Sequence, residues 1–232
     1  MRKYIGFTLA EVLITLGIIG IVASLTIPML IQDYRNNVAE TRLKKFYSTM
    51  NQAIALSIND NGDVETWNYF NDGGIDKDAN VINNKTDAND KSFKTYLAPY
   101  LKIESKKEIV DNNGQKRILY FFEDGSAFTF AIHENRDIDF FPKNPENCIK
   151  QKNRTGVCSF KFEFYPIENT FWWKYMYNKG MEAFMFNWNG NKNMLYNDTD
   201  RGCRKGNGTY CTAIIYLNNW KIPKDYPKRI AF

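Results

Sequence analysis

The chain has 232 residues, 25% of them charged, with 31 Lys and Arg against 26 Asp and Glu, a formal net charge of +5. That balance is too mild to imply a nucleic-acid partner by itself. A single histidine, His133, would have to carry any Ser-His-Asp or Cys-His chemistry alone. The chain also lacks a Gly-x-Ser-x-Gly elbow, a P-loop and a dinucleotide glycine pattern. We read it as a non-enzyme.

In chain order, Arg2 and Lys3 precede the stretch Gly6-Phe7-Thr8-Leu9-Ala10-Glu11. Residues 12–31 follow without a charge. A helix of that length spans about 30 Å, the hydrocarbon thickness of a bilayer. The ionised group at its entrance is Glu11, and a carboxylate there costs about 2.5–3.5 kcal/mol unless it finds a partner. An ordinary secretory signal cut at Ala23-Ser24 competes with this reading, but the apolar run continues to Ile31. A plain single-pass anchor explains the length. It explains neither the short basic leader nor the acid five residues after the glycine.

Gly-Phe-Thr-Leu-x-Glu followed by about twenty apolar residues resembles the N-terminal signal of type IV pilins and type II secretion pseudopilins. The resemblance covers residues 1 to about 60. It implies that a prepilin peptidase cuts after Gly6 and methylates the new amine at Phe7. Glu11 would then neutralise the N-terminal amine of a neighbouring subunit, and Pro28 falls where many such helices carry a kink proline. The implied partners are homologous pilin or pseudopilin subunits in a helical filament, an inner-membrane assembly platform and the inner membrane itself. The expected organisation is a leader at 1–6, a long helix at 7–60 and a head at 61–232. Within that helix, 7–31 is transmembrane and 32–58 amphipathic. The basic leader places the head outside the cytoplasm of a bacterial cell. Removing 1–6 would leave 29 basic against 26 acidic residues, +3.

Tyr34, Val38, Leu43, Phe46, Tyr47, Met50, Ile54 and Ile58 recur at helical spacing, predicting a stripe that packs on the head. Arg35, Glu40, Arg42, Lys44 and Lys45 are assigned to the other face, with Glu40–Lys44 as an i,i+4 pair. Asn59-Asp60-Asn61-Gly62 ends the helix. Residues 63–91 are polar, with Trp67, Tyr69 and Phe70 as an apolar island. Asp72, Asp76, Asp78, Asp87 and Asp90 invite a calcium reading, but Val81 stands where an EF-hand loop needs glycine. A solvated loop is preferred, with no cofactor. Residues 93–103 predict a short helix or turn packing its aromatics inward.

Strands are predicted next. Residues 118–123 and 126–132 flank Asp124-Gly125 as a two-residue hairpin. Residues 157–165 alternate Phe160, Phe162 and Phe164 against Lys161 and Glu163, one dry face and one wet. Residues 183–188 and 213–217 are further strand candidates. Strands after one long helix predict an α+β fold, the helix packed on an antiparallel sheet head, and the resemblance implies the same. Four cysteines allow three connectivities. The local pairs Cys148–Cys158 and Cys203–Cys211 are preferred and zinc is the lesser reading, since there is no C-x-x-C. Phe171, Trp172, Trp173, Tyr175 and Tyr177, with Lys174 and Lys179, read as core before they read as a stacking surface. Residues 220–227 predict an extended segment closing over the second cysteine pair. Function follows as a filament subunit. The alternative is a minor tip pilin whose head binds DNA, a glycan or a secretion substrate.

Overall fold

A computed structural model describes residues 6, 8–67, 86–131, 137–164 and 180–232. Helix α1 (Leu9–Asn61) runs 53 residues, about 80 Å at 1.5 Å per residue. Gly62 ends it at φ 79°, its N–H bonded to the Ile58 carbonyl at 2.9 Å. After α2 (Thr86–Tyr96), six strands follow: β1 (Ile103–Val110), β2 (Lys116–Phe122), β3 (Ala127–Phe130), β4 (Asp137–Phe141), β5 (Phe160–Phe164) and β6 (Met181–Ala183). They form one sheet in the order 1-2-3-4-5-6, every neighbour antiparallel. The remaining helices are short: α3 (Pro145–Cys148), α4 (Lys192–Asn197) and α5 (Cys211–Leu217). The fold is α+β, as the sequence predicts.

The second half of α1 lies on one face of the sheet. The Phe46 ring stacks on Phe140 at 4.3 Å and meets Phe162 edge-on at 4.9 Å, with Phe128 and Phe122 around it. Burying one such ring contributes about 1.5–3 kcal/mol, and the tilted and edge-on pairs add to it. The buried seam runs through Ala39, Leu43, Phe46, Met50, Ala53 and Ser57, spaced four and three alternately. Tyr34 and Ile58, assigned to the stripe from sequence, are exposed. The seam mixes large side chains (Leu43, Phe46, Met50) with small ones (Ala39, Ala53, Ser57).

Glu40 was also misassigned. It is buried, and instead of pairing with Lys44 it accepts from Lys221 Nζ at 2.7 Å and from the Ile222 amide at 2.9 Å. Arg42 likewise reaches the carbonyls of Pro142 and Asp124 on the head. Charge alone put these residues on the wet face. The returning C-terminal segment and the hairpin tip made that face an interface.

Asn51 joins α1 to the edge strand β6. Its side-chain oxygen accepts from the Met181 amide at 2.9 Å and its NH2 donates to the Met181 carbonyl at 3.0 Å. One side chain thus supplies both bonds that a further strand would give.

The β2–β3 hairpin forms, but with three loop residues rather than two. The Phe122 amide donates to the Ser126 carbonyl, and Gly125, at φ 75°, donates to the Phe122 carbonyl. This is a turn followed by a left-handed glycine, the usual three-residue hairpin. Strands β1 and β4 escaped sequence reading. Strand β1 is a charged, mostly exposed edge, and β4 carries Asp139 in a strand buried on both faces.

Residues 213–217 belong to helix α5 and not to a strand. A short apolar run does not distinguish the two by periodicity; here Ile215 joins the cluster between α1 and the sheet while Ile214 joins the cluster that includes Leu195 of α4. Of residues 183–188 only Ala183 is in a strand, and Asn187 turns the chain at φ 61°. Trp220, at φ 62°, folds back from α5 onto Tyr47, Phe162 and Tyr216.

The predicted wet face of β5 is covered. Glu163 is fully buried, accepting from the Met185 amide, and Lys161 is half-buried. Behind the sheet, Leu119, Ala127 and Phe141 pack on Ile149 and the Cys148–Cys158 disulfide. Beside them Asp139 meets Lys161 Nζ at 2.8 Å, Arg117 at 3.2 Å and Arg154 at 3.8 Å.

The second disulfide joins Cys203 to Cys211. The C-terminal segment closes against its surroundings: Tyr226 donates to the Gly156 carbonyl and Lys228 to the Thr155 carbonyl, both at 2.8 Å. Gly156 sits at φ 77°, and a Cβ there would lie 2.3 Å from Cys211 Sγ. Gly156→Ala should therefore cost about 2–4 kcal/mol, the positive φ adding to the clash. Thermal unfolding of the purified chain checks this: an unchanged midpoint would refute it.

Candidate functional site: the entrance of the long helix

Helix α1 starts where its sequence provides a cap. Thr8 is extended, and its amide and hydroxyl donate to one Glu11 carboxylate oxygen at 2.8 and 2.7 Å. The Glu11 amide returns a bond to Thr8 Oγ1 at 3.3 Å. This is a reciprocal capping box, in which an acid also meets the positive end of the helix dipole. Thr8 was not among the residues singled out from sequence, although the Thr-x-x-Glu spacing before an apolar run signals such a box. Gly6 is exposed with open space around it. Phe7 lies outside the described residues.

Beyond Glu11 the helix presents apolar side chains on every side. Leu13, Ile19, Leu25 and Leu30 are each more than 60% exposed. This stretch has a mean hydropathy of 2.3 and none of it is buried in the protein. A helix apolar all round and unburied needs lipid or other helices about it. Pro28 sits within the helix, where it removes one backbone donor to the carbonyl four residues earlier. Ser24 and Thr26 bond the Ile21 and Val22 carbonyls through their hydroxyls at 2.7 and 2.9 Å. These bonds occupy carbonyls in the turns ahead of the proline.

The head grips the helix where the apolar run ends. Arg229 Nε donates to the Gln32 side-chain oxygen at 2.6 Å and Gln32 donates to the Ile230 carbonyl at 3.3 Å. Lys45 pairs with Asp124 at 2.9 Å. Burial raises the Asp124 carboxyl, but the bonds from Lys45 and Ser126 outweigh it and hold the group down at about 2. Lipid-type and head-type surface therefore meet within one or two turns of residue 32.

Of the acids that suggested calcium, Asp90 is taken by Lys94, Lys106 and the Tyr120 hydroxyl. Asp72, Asp76 and Asp78 lie outside the described residues, as do His133, Tyr69, Phe70 and the Phe171–Tyr177 aromatics with Lys174 and Lys179. The Asp87 side chain is likewise not described. Among the described residues no three His, Cys, Asp or Glu side chains converge on a metal-sized site. All four cysteines form disulfides, so none is a ligand.

Two family models match the chain. A model described as a family of unknown function, DUF6613, covers residues 29–230. The chain belongs to that family. The prokaryotic N-terminal methylation motif covers residues 1–27, and with it this DUF6613 chain is a pilin- or pseudopilin-type subunit. The motif implies processing by a prepilin peptidase and assembly with other pilin-type subunits, and with the apolar helix it points to membrane anchoring. No curated protein and no solved structure matched the chain.

Proposed function

We propose that this chain is a structural subunit of a type IV pilus-like or type II secretion pseudopilus filament. It is cut after Gly6, methylated at Phe7, and held in the inner membrane by residues 12–31 with its head outside the cytoplasm. The observation behind this reading is the single carboxylate, Glu11, at the mouth of an unburied apolar helix. Within its own chain Glu11 is satisfied by the helix cap. A neighbour's freed N-terminal amine supplies the opposite charge that the cap lacks. Moving the subunit from membrane to filament replaces lipid with neighbouring apolar helices, and the ion pair sets how far each subunit advances.

Gly6→Leu tests the processing step. The bulky side chain should leave an uncut precursor that inserts but does not enter filaments. Mass spectrometry finding Phe7 as a methylated N-terminus in that variant would overturn the cleavage assignment.

A second reading, a tip subunit whose head binds a ligand, is favoured by one observation: a cleft of about 430 Å³ between α4, α5 and the C-terminal segment.

A further inference from the structure

The cleft has a definite chemistry. Ile214 and Leu217 of α5 line it with aliphatic side chains, and Asn193 and Asn218 also line it. Asn193 accepts from Asn197 and Asn218 donates to the Lys221 carbonyl, leaving the Asn193 NH2 and the Asn218 side-chain oxygen for a ligand. At one end the Arg204 guanidinium lies 5.4 Å over the Tyr196 ring. On the same wall Tyr196 hydrogen-bonds Asp225 through its hydroxyl. Lys192 also lines the cleft. No residue of α1 contributes, so occupying the cleft does not compete with helix packing. The Cys203–Cys211 disulfide ties the loop bearing Arg204 to the first turn of α5. The site is thus held by covalent and core contacts, and its volume is within the range of small-molecule sites, about 300–1,000 Å³.

Three features narrow the ligand. Aliphatic side chains beside side-chain amides suit a molecule that presents both C–H groups and hydroxyls, which describes a sugar ring. Two cations, Lys192 and Arg204, face one carboxylate that is already bonded to Tyr196. That leaves a positive excess, and Arg204 has the planar fork that binds a carboxylate with two bonds. A nucleic-acid strand fits poorly, because it needs cations tracking its phosphates and an open aromatic face for stacking. Here two cations line the cleft, Lys192 and Arg204, and Arg204 covers one face of the Tyr196 ring.

We propose that this cleft binds a short acidic carbohydrate, a uronic-acid residue with its carboxylate on Arg204 and its ring against Ile214 and Leu217. The proposal rests on the ligand-binding reading of the head and not on the assembly reading.

The test uses the full chain in detergent micelles, with glucuronic acid, galacturonic acid and glucose as probes in saturation-transfer NMR and titration calorimetry. Both uronic acids should bind, and glucose about tenfold more weakly, as expected for the loss of one charge-assisted contact. Arg204→Ala should weaken the uronic acids about tenfold, and Asn193→Trp, which fills the cleft from an exposed position, should abolish binding. Both variants should melt with the parent. No uronic-acid binding, equal affinity for glucose, or binding untouched by both variants would overturn the proposal. So would an oligothymidine that binds more tightly than the uronic acids and is displaced by Asn193→Trp. A chain that assembles into filaments but ignores uronic acids sinks this assignment alone. A chain that never enters filaments sinks the subunit reading and leaves the cleft standing.

Discussion

Glu11→Ala leaves the chain inserted and cleaved but abolishes its entry into filaments. Insertion is spared because the substitution removes the charge from the edge of an apolar segment and so lowers the cost of membrane residence. Assembly is not spared, because each subunit's freed amine then enters the apolar bundle without an opposite charge. A penalty of about 2.5–3.5 kcal/mol per subunit corresponds to at least a fifty-fold fall in the equilibrium for adding one subunit. Repeated at every addition, that stops growth. Loss of the capping box is a smaller effect, about 1 kcal/mol, and Thr8→Ala isolates it: that variant should assemble, with a frayed first turn. Glu11→Gln separates charge from hydrogen bonding, since the amide oxygen still accepts from Thr8. Filament counts by electron microscopy decide the matter. Normal filaments from Glu11→Gln would show that the carboxylate charge plays no part in assembly.

Asp139→Ala should destabilise the head by about 3–5 kcal/mol, the cost of breaking a buried charge cluster by removing one partner. Asp139 lies behind β4, 1% exposed, between Lys161, Arg117 and Arg154. Asp111, 3.5 Å from Arg117, is the other acid in the cluster, so removing Asp139 leaves three cations to one carboxylate. Asp139→Asn keeps the volume and should cost nearly as much, which distinguishes charge from packing. The same group predicts acid lability. Burial pushes the Asp139 carboxyl up, but Lys161, Arg117 and Arg154 more than reverse this, and it lies well below the usual carboxylate range. Asp124 is held at about 2. A carboxyl depressed on folding contributes stability above its unfolded value, near 4, and loses that contribution as pH falls toward its folded value. The head should thus lose stability between about pH 4 and 2, and the Asp139→Asn variant should lose less over that interval. Denaturant midpoints that stay constant across that interval in the parent would refute the account.

Residues 6–31 were legible because their constraint is local. A glycine, an acid five residues on and an unbroken apolar run state their physics without reference to the rest of the chain. The helix end at Gly62, the inward phenylalanines of β5 and the hairpin at Asp124-Gly125 were legible for the same reason, since turn chemistry and period-two patterning are short-range. The preferred local cysteine pairing is the one the structure shows. Reading failed wherever a residue's environment comes from far along the chain. Glu40 meets Lys221, and Asn51 meets Met181. Asp139 is neutralised from β2, β5 and the loop bearing Arg154. An acid in a strand, or a charge beside an apolar stripe, reads as solvent-facing until its distant partner is known. The run at 213–217 failed differently: helix and strand were equally consistent with it, and packing against α4 and the β5–β6 edge decided.

The sequence alone determined that residues 9–31 form a pilin-type apolar helix carrying one acid, because burial in lipid or in a helix bundle imposes its rule residue by residue. Only the tertiary structure decided how the head is held. Its grip on α1 joins residues 79 to 198 positions apart, and its buried charges and its cleft at α5 are made by elements whose register no local pattern specifies.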